Sequence, residues 1–407
     1  MNTAQSRFRV AWVFGVLLGT LGLFSCSSRA VRTGLGVLQD DDFERLHGRK
    51  VAVLTNHTGC DSNFESLVDL LAAEPKVDLV AIFGPEHGFR GGAQAGEHVG
   101  DAKDLRTGVP VFSLYGKTRK PTPEMLEGVD VVVFDIQDIG VRTYTYLSSL
   151  ILVLEACADR GVDVVVLDRP VPGGATRVGG PVLNSDFESF VGAHTVALRH
   201  GMTAGEFARM VNRERGIDAN LEVVGMKGYS RTSTFAGADL PWVAPSPNIP
   251  TEEIAVIYAG MVLIEGTNLS EGRGTTRPFQ LVGAPWIDGA KLAGELRSIG
   301  FPGVGFREAT FTPTFSKFKG EACRGVEIHV TDASALEPVV VAVGVLTTIR
   351  RLYPEQLTFR ESAFDKLSGG GELRRAIEDG ESVDSIVSSW RVGLANFLAR
   401  RKTFLLY

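Results

Sequence analysis

Short apolar runs alternate with helix-like segments throughout the first half of the chain. The runs are rich in β-branched residues, as expected of strands that are buried on both faces: KVAVLTN (50–56), VDLVAIF (77–83), VPVFSL (109–114), VDVVVF (129–134) and VDVVVL (162–167). Between them, residues 62–73 and 147–160 carry apolar side chains at helical spacing. Strands that alternate with helices in this way predict βαβ units and a parallel sheet.

The second half has a different pattern, in which helices outnumber strands. Helices are predicted over 252–264, 290–299, 338–353, 372–379 and 382–401, and strands over 304–311, 325–330 and near 357–359. A segment rich in Pro, Ser, Thr and Gly, 229–250, precedes this half and indicates a domain transition. The sequence therefore predicts an α/β N-terminal domain followed by a smaller α+β domain.

Polar side chains follow several of the predicted strands. Glu86, His87 and Arg90 come directly after the second run, behind the breakers Gly84 and Pro85. In an open α/β sheet, ligands bind beyond the carboxyl ends of the strands, so these residues are candidates for chemistry; the alternative is an ordinary polar loop. Similar candidates after other strands are Asn56, Asp135, Gln137, Arg142, Tyr144 and Asp168.

A second candidate site is the loop EGTNLSEGRGTTRP (265–278). It holds Asn268, Glu271 and Arg273 between glycines, which allow a backbone to approach a ligand closely. Asn248, in the preceding PSPNIP segment, is a further candidate. The alternative is a surface loop whose charges are solvated.

Composition narrows the classes of function. The 407 residues carry 42 Lys and Arg against 48 Asp and Glu, a net charge of −6 without a basic block, so nucleic acid is not an expected partner. The motifs GxGxxG, GxSxG and HExxH and the P-loop are absent from the sequence, and we predict neither a cofactor nor a metal. Carboxylates with amide, tyrosine and arginine neighbours suit glycoside chemistry, in which one carboxylic acid protonates the leaving oxygen.

The N-terminus is typical of an export signal. Arg7 and Arg9 precede the apolar run 10–24, which is short for a membrane-spanning helix. The run ends in LFSC (23–26), which resembles a bacterial lipobox with Cys26 as the lipidated residue. We therefore predict a lipoprotein signal peptide over 1–25 and an exported, periplasmic protein that contacts the membrane only through its lipid anchor. A plain signal peptide and an uncleaved N-terminal anchor are the alternatives.

Eight motifs in a fixed order resemble one family. They are TNHTG (55–59), FGPEHGFRG (83–91), VPVFSLYG (109–116), VVVFDIQDIGVRTYTY (131–146), VVLDRP (165–170), HGMTAGE (200–206), PSPNIPT (245–251) and EGTNLSEGRGTTRPF (265–279). Together they resemble the bacterial exo-β-N-acetylmuramidases of glycoside hydrolase family 171, formerly a domain of unknown function. The resemblance implies a Rossmann-like catalytic domain over 30–235, an α+β domain over 236–407 that completes the cleft, and removal of terminal non-reducing N-acetylmuramic acid from peptidoglycan fragments in cell-wall turnover and recycling.

The resemblance also implies roles for individual residues. Glu86 matches the catalytic glutamate proposed for the family and is expected to be the general acid, oriented by His87. The second contribution is expected from the acetamido group of the substrate, held by Asp135 or Tyr144, or directly from Asp135 or Glu271. Matching positions expected to bind the substrate are Asn56, Arg90, Gln137, Arg142, Asp168, Asn248, Asn268 and Arg273, of which Arg273 or Arg90 would bind the lactyl carboxylate.

One departure from the family pattern is RPVPGG (169–174), which puts in doubt a contact made by an asparagine there. A non-catalytic peptidoglycan-binding lipoprotein could use the same polar rim for affinity alone. A hydrolase of phosphorylated substrates would need a phosphate cradle, which the sequence does not offer.

Overall fold

The computed structural model describes residues 31–86, 88–90 and 102–407. The predicted signal peptide, the lipidation of Cys26 and the orienting role of His87 lie outside the described residues. None of the helices in the described ranges is long and apolar enough to cross a membrane.

A seven-stranded sheet forms the centre of the first half. Its strands lie in the order β3-β4-β2-β1-β5-β6-β9, and all neighbours are parallel except β3 and β4. Strands β2, β3 and β4 lie on one side of β1, and the later strands β5, β6 and β9 lie on the other side. The strand order therefore reverses between β1 and β5. The strands of the described chain are β1 (Lys50–Thr55), β2 (Asp78–Gly84), β3 (Ala102–Lys103), β4 (Pro110–Ser113), β5 (Val131–Asp135), β6 (Asp163–Leu167), β7 (Gly179–Val182), β8 (Ala197–Arg199), β9 (Leu221–Val224), β10 (Leu281–Ala284), β11 (Val304–Phe311) and β12 (Cys323–Val330).

The central strands are apolar throughout because both faces of the sheet are covered. Successive side chains of a strand point to opposite faces, and those of β5 are buried on both. Val131 and Val133 pack into one hydrophobic cluster with α1 and α2, whereas Val132 and Phe134 pack into the other with α3 and α4. The helices of the described chain are α1 (Gly34–Asp40), α2 (Leu67–Ala73), α3 (Tyr146–Ala158), α4 (Ala204–Glu214), α5 (Phe235–Ala238), α6 (Glu252–Met261), α7 (Gly289–Ile299), α8 (Pro338–Leu352), α9 (Glu361–Ser368), α10 (Glu372–Glu378), α11 (Val383–Ser389) and α12 (Arg391–Lys402).

The second half is built around a three-stranded antiparallel sheet of order β10-β12-β11. Its helices α6 and α8 share one continuous hydrophobic cluster with α3 and α4 of the first half. The predicted α/β class, with a parallel sheet followed by an α+β half, is confirmed. The exact boundary near residue 235 stays a prediction, since apolar packing continues across it.

Two local expectations were wrong. The stretch 357–359 forms only one isolated bridge, between Phe359 and Thr267, and no strand. The single helix expected over 382–401 is divided into α11 and α12 at Trp390. Isolated bridges and helix breaks depend on tertiary partners, which apolar spacing does not report.

Candidate active site

A cavity of about 180 Å³ lies beyond the carboxyl end of β2, between the two halves of the chain. Glu86 reaches it from the loop after β2, and the start of α3 forms a second wall. The other walls come from the segment before α6, from α6 itself, from the loop that follows α6 and from Val191, which lies between β7 and β8. The described residues that line the cavity are Glu86, Thr143, Tyr144, Thr145, Tyr146, Val191, Ser246, Asn248, Ile249, Tyr258, Glu265, Arg273 and Phe279.

The Thr145 hydroxyl holds the Glu86 carboxylate and donates to its Oε2 atom at 2.7 Å. The Tyr115 phenol lies close enough to interact electrostatically with Glu86, and burial together with the charge of Glu86 raises the pKa of Tyr115 to about 12. Tyr115 therefore remains protonated at neutral pH. The contact with Thr145 gives Glu86 a defined orientation at the cavity, which a general acid requires.

Aromatic rings form the apolar part of the wall. Tyr144 packs edge-to-face against Tyr146, with ring centroids 5.0 Å apart, and against Tyr258, at 5.8 Å. Burial raises the pKa of Tyr144 well above its usual range, so its phenol stays protonated. The Tyr144 hydroxyl interacts electrostatically with Ser246 but makes no hydrogen bond of ordinary geometry to the described residues, which leaves it a donor for a sugar oxygen.

A second carboxylate at the cavity belongs to Glu265, which lies in the candidate loop 265–278 but was not among the individual residues that the sequence analysis named. Arg273 donates through Nε to its Oε1 atom at 2.9 Å, and a second guanidinium nitrogen contacts the same oxygen. Burial and the nearby charge of Glu271 raise the pKa of Glu265, although Arg273 opposes the shift. The sequence signal was available, since Glu265 begins the 265–278 loop that the sequence analysis identified as a second candidate site.

Glu271 does not line the cavity, although it lies close to Arg273. Its side chain is buried, and its carboxylate oxygens lie 3.5 Å from Arg273 Nε and 2.8 Å from Lys317 Nζ. Glu271 thus balances two cations behind the wall. The expectation that its carboxylate acts directly on the substrate does not fit this position.

Asp135 is bound in an ion pair with Arg169. Its side chain is fully buried, and Arg169 donates to both of its carboxylate oxygens, one of them at 2.8 Å. Asp135 is not among the lining residues of the cavity. The structure therefore places Asp135 in a buried ion pair away from this cavity, and its expected role at the acetamido group or the anomeric carbon stays a prediction.

Gln137 belongs to a smaller cavity of about 80 Å³ near the reversal of strand order between β1 and β5. Its amide nitrogen donates to the backbone oxygens of Asp138 and Pro170, at 2.6 and 2.7 Å. The other polar side chains there, including Arg169 and Asp61, also have partners within the protein. The amide nitrogen of Gln137 is thus bound to the backbone, and the expected substrate contact of this residue stays a prediction.

Two other predicted binding residues also hold the fold together. Arg142 is buried without a carboxylate partner and donates to the backbone oxygens of Pro181, Val196 and Leu367, at 2.9, 3.0 and 2.9 Å. It therefore connects the two halves of the chain, and its burial lowers its pKa to about 9. Asn268 makes paired contacts with the backbone of Gln356 and Thr358, at 2.7 and 3.0 Å.

Asp168 caps α4 instead of facing a ligand. It accepts hydrogen bonds from the Thr203 hydroxyl at 2.7 Å, the Gly205 amide at 2.9 Å and the Tyr407 phenol at 2.8 Å. The first two donors lie at the N-terminus of the helix, where a carboxylate is favoured. The contact with Tyr407 also attaches the end of the chain to the sheet.

The remaining predicted residues divide between the cavity and its surroundings. Asn248 lines the cavity. Asn56 accepts from the Thr58 amide and hydroxyl and lies beside Tyr146, one layer behind the wall. Arg90 pairs with Asp104 at 2.6 Å and is not a lining residue. Of the two arginines expected to bind a lactyl carboxylate, Arg273 is therefore the one at the cavity.

Asp138 provides a pH-dependent test of the packing near the cavity. Its Oδ2 atom accepts from the Gly140 amide at 2.7 Å, its Oδ1 atom has no partner among the described residues, and burial raises its pKa from 3.8 to about 7. The folded state therefore favours the protonated acid, and this stability is lost as pH rises through 7. We expect the free energy of unfolding of Asp138→Asn to improve relative to the wild type between pH 4 and 7, by up to about 1.4 kcal/mol per pH unit.

Urea unfolding at several pH values measures this difference. Asp130→Asn, at an exposed position, is the matched control. A stability difference between Asp138→Asn and the wild type that does not change with pH would contradict the assignment.

No group of three or more His, Cys, Asp or Glu side chains in the described ranges is arranged to hold a metal ion. The residues that line the cavity can support acid catalysis by the Glu86 carboxyl group. Beside it lie the aromatic wall and the carboxylate–guanidinium pair of Glu265 and Arg273.

Family models match nearly the whole chain. One described as "Exo-beta-N-acetylmuramidase NamZ, N-terminal" covers residues 51–253, and one described as "Exo-beta-N-acetylmuramidase NamZ, C-terminal" covers residues 256–407. The peptidoglycan beta-N-acetylmuramidase NamZ of Bacillus subtilis (strain 168) is 48% identical over 378 residues, which are 93% of this chain and 91% of that protein.

Two crystal structures have a similar fold. Both are DUF1343 family proteins from Bacteroides fragilis NCTC 9343, and each comparison covers 93% of this chain and 99% of the other. The TM-scores are 0.87 and 0.75, with sequence identities of 36% and 33%.

Proposed function

We propose that this chain, which belongs to the NamZ family of exo-β-N-acetylmuramidases, removes terminal N-acetylmuramic acid from peptidoglycan fragments with Glu86 as the general acid. It is a glycoside hydrolase, as its family membership and its relative of 48% identity indicate. The observation that carries the proposed chemistry is the Glu86 carboxyl group, which lines the cavity and is held there by the Thr145 hydroxyl.

The size of the cavity supports an exo mode of action. Pockets for drug-sized ligands typically occupy about 300–1,000 Å³. The cavity here, at about 180 Å³, offers room for one sugar ring rather than for a chain. An enzyme that cleaves one terminal sugar at a time needs such a closed end beside its acid.

In the proposed mechanism, Glu86 protonates the oxygen that links N-acetylmuramic acid to the next sugar. Donation requires the carboxylic acid form of the Glu86 side chain. The acetamido group of the substrate stabilises the positive charge that develops at the anomeric carbon as the glycosidic bond breaks. Water then adds to that carbon and gives up a proton to the Glu86 carboxylate, which restores the acid. Tyr144 and Asn248 are the proposed hydrogen-bond partners of the acetamido group, because both line the cavity.

Arg273 is the proposed partner of the lactyl carboxylate that distinguishes muramic acid from glucosamine. Arg273 lines the cavity, and its guanidinium donates to Glu265, which lines the same cavity. A planar guanidinium binds a carboxylate through two parallel hydrogen bonds, which makes it selective for such a group.

Product analysis with a defined disaccharide tests the function. We expect the wild-type protein to release N-acetylmuramic acid from a disaccharide that carries it at the non-reducing end, and to leave the reverse disaccharide, with N-acetylglucosamine at that end, intact. Release from both would remove the proposed role of Arg273. Tight binding without any product would favour the alternative, a non-catalytic peptidoglycan-binding protein.

We also propose that the protein is exported and anchored by a lipid at Cys26. The support is the charged start, the short apolar run and the LFSC sequence of residues 1–26. Mass spectrometry of the N-terminus of the mature protein tests this: a diacylglyceryl-modified Cys26 is expected, and an unmodified N-terminus further along the chain would contradict it.

A further inference from the structure

A loop of the second half, between β11 and β12, inserts a lysine behind the cavity wall. The Lys317 ammonium donates to the backbone oxygens of Ile264 and Thr267, at 3.1 and 3.0 Å, and lies 3.5 Å from that of Glu265. It also contacts the Glu271 carboxylate at 2.8 Å. Four oxygens from one turn of chain, 264–271, thus surround a single ammonium group.

This turn carries the charged part of the cavity wall. It presents Glu265, and Arg273 follows two residues after its end. The Ile264 carbonyl also accepts from the Thr267 amide at 3.0 Å, and the Glu265 carbonyl also accepts from Arg360 at 2.6 Å, so Lys317 adds to the donors that hold this turn. Because an ammonium is a compact charge with three donors, it can satisfy oxygens that converge on one point.

The loop that holds Lys317 is fixed in an unfavourable conformation. Its two neighbours, Ser316 and Phe318, have φ values of +69° and +57°, a region that side chains other than glycine rarely adopt. Such residues persist only where the surroundings determine them, and they cluster at functional sites. The positive φ values of both neighbours therefore indicate that the loop adopts this conformation in order to position Lys317.

The same loop is packed tightly against the segment after the turn. The Thr314 amide donates to the Gly274 backbone oxygen at 2.9 Å, and a Cβ atom at Gly274 would stand only 2.6 Å from the Phe315 backbone oxygen. Gly274 thus permits a close approach that a larger residue would prevent. The loop and the cavity wall therefore form one unit with Lys317 between them.

We propose that Lys317 is a positioning residue, whose ammonium group holds the 264–271 turn so that Glu265 and Arg273 face the sugar. It has no contact with the cavity itself and acts through the residues that do. The inference rests on the proposed function, since it assigns Arg273 to recognition of the lactyl carboxylate.

Substitution of Lys317 by methionine tests the proposal, with Lys319→Met as the matched control. Methionine keeps much of the length and removes the charge, and Lys319 is an exposed lysine in the same loop. The readout is selectivity: the dissociation constant of N-acetylglucosamine divided by that of N-acetylmuramic acid. We expect this ratio to fall at least fivefold in Lys317→Met and to remain unchanged in Lys319→Met. General destabilisation would weaken both sugars alike and leave the ratio constant.

Lys317→Arg carries the test if Lys317→Met does not fold. Arginine keeps the positive charge but replaces the compact ammonium group by a planar guanidinium. We therefore expect the selectivity ratio to fall, but by less than in Lys317→Met. Wild-type selectivity in a folded Lys317 variant overturns this inference and leaves the proposed function intact. A wild-type protein that releases no N-acetylmuramic acid overturns the proposed function, and the inference with it.

Discussion

Replacement of Glu86 by glutamine is expected to lower kcat on a sugar-linked muramide by about 10³-fold, within the 10²–10⁴ range of general acid catalysis. Glutamine has nearly the shape of glutamate, and its amide oxygen can still accept the hydrogen bond that Thr145 donates to Glu86. The amide cannot release a proton to the leaving oxygen. Binding of N-acetylmuramic acid should therefore change little while turnover is lost.

The leaving group separates a general acid from a residue that only binds. A nitrophenyl group departs with little need for protonation, so Glu86→Gln should lose much less activity on a nitrophenyl muramide than on a disaccharide. Glu127→Gln, at an exposed position four residues before β5 begins, serves as the control. Equal losses on both substrates, or activity near that of the wild type on the disaccharide, would remove Glu86 from the proposed acid step.

The sequence was sufficient for the sheet and for the position of Glu86 at the edge of that sheet. In a continuous β-branched run such as Val131–Asp135, apolar side chains point to both faces of the strand. They are removed from water only when both faces are covered, so the burial of the strand follows from its composition. Glu86 follows such a run, and a strand end in a parallel sheet opens onto the ligand-binding edge. Both conclusions depend on local pattern and on a general property of the fold.

The roles of the other polar residues that follow the strands could not be predicted in the same way. Asp135, Arg142 and Asp168 also follow apolar runs, yet they contact a guanidinium, backbone carbonyls and a helix N-terminus. A polar residue at a strand end has the same sequence signature whether it meets a ligand or satisfies buried backbone groups. Which of these occurs depends on segments far along the chain, such as Leu367 for Arg142. Glu265 was not named as a candidate because the loop 265–278 holds several charged residues, and nothing in their local pattern shows which of them reaches the cavity.

The second large effect is expected from Asp135→Asn, which should lower the free energy of unfolding by about 3–5 kcal/mol, the range for a buried ion pair that loses one partner. Asp135 is fully buried and Arg169 is 8% exposed, so the guanidinium would remain charged without a carboxylate. Turnover per folded molecule should stay within about threefold of the wild type, since Asp135 does not line the cavity. A folded variant that has lost activity would instead return Asp135 to the catalytic residues.

The partner substitution distinguishes the two charges of this pair. In Arg169→Met the carboxyl group can take up a proton, and burial already raises the pKa of Asp135. Arg169→Met should therefore be least destabilised at low pH and lose stability as pH rises, whereas Asp135→Asn should be destabilised at every pH because a guanidinium cannot release its proton. The double variant Asp135→Leu/Arg169→Met removes both charges and should recover much of the loss, as apolar replacements of buried pairs do. Urea unfolding of the three variants at pH 5 and pH 8 measures the pattern, and a double variant less stable than Asp135→Asn would show that the pair contributes more than its mutual neutralisation.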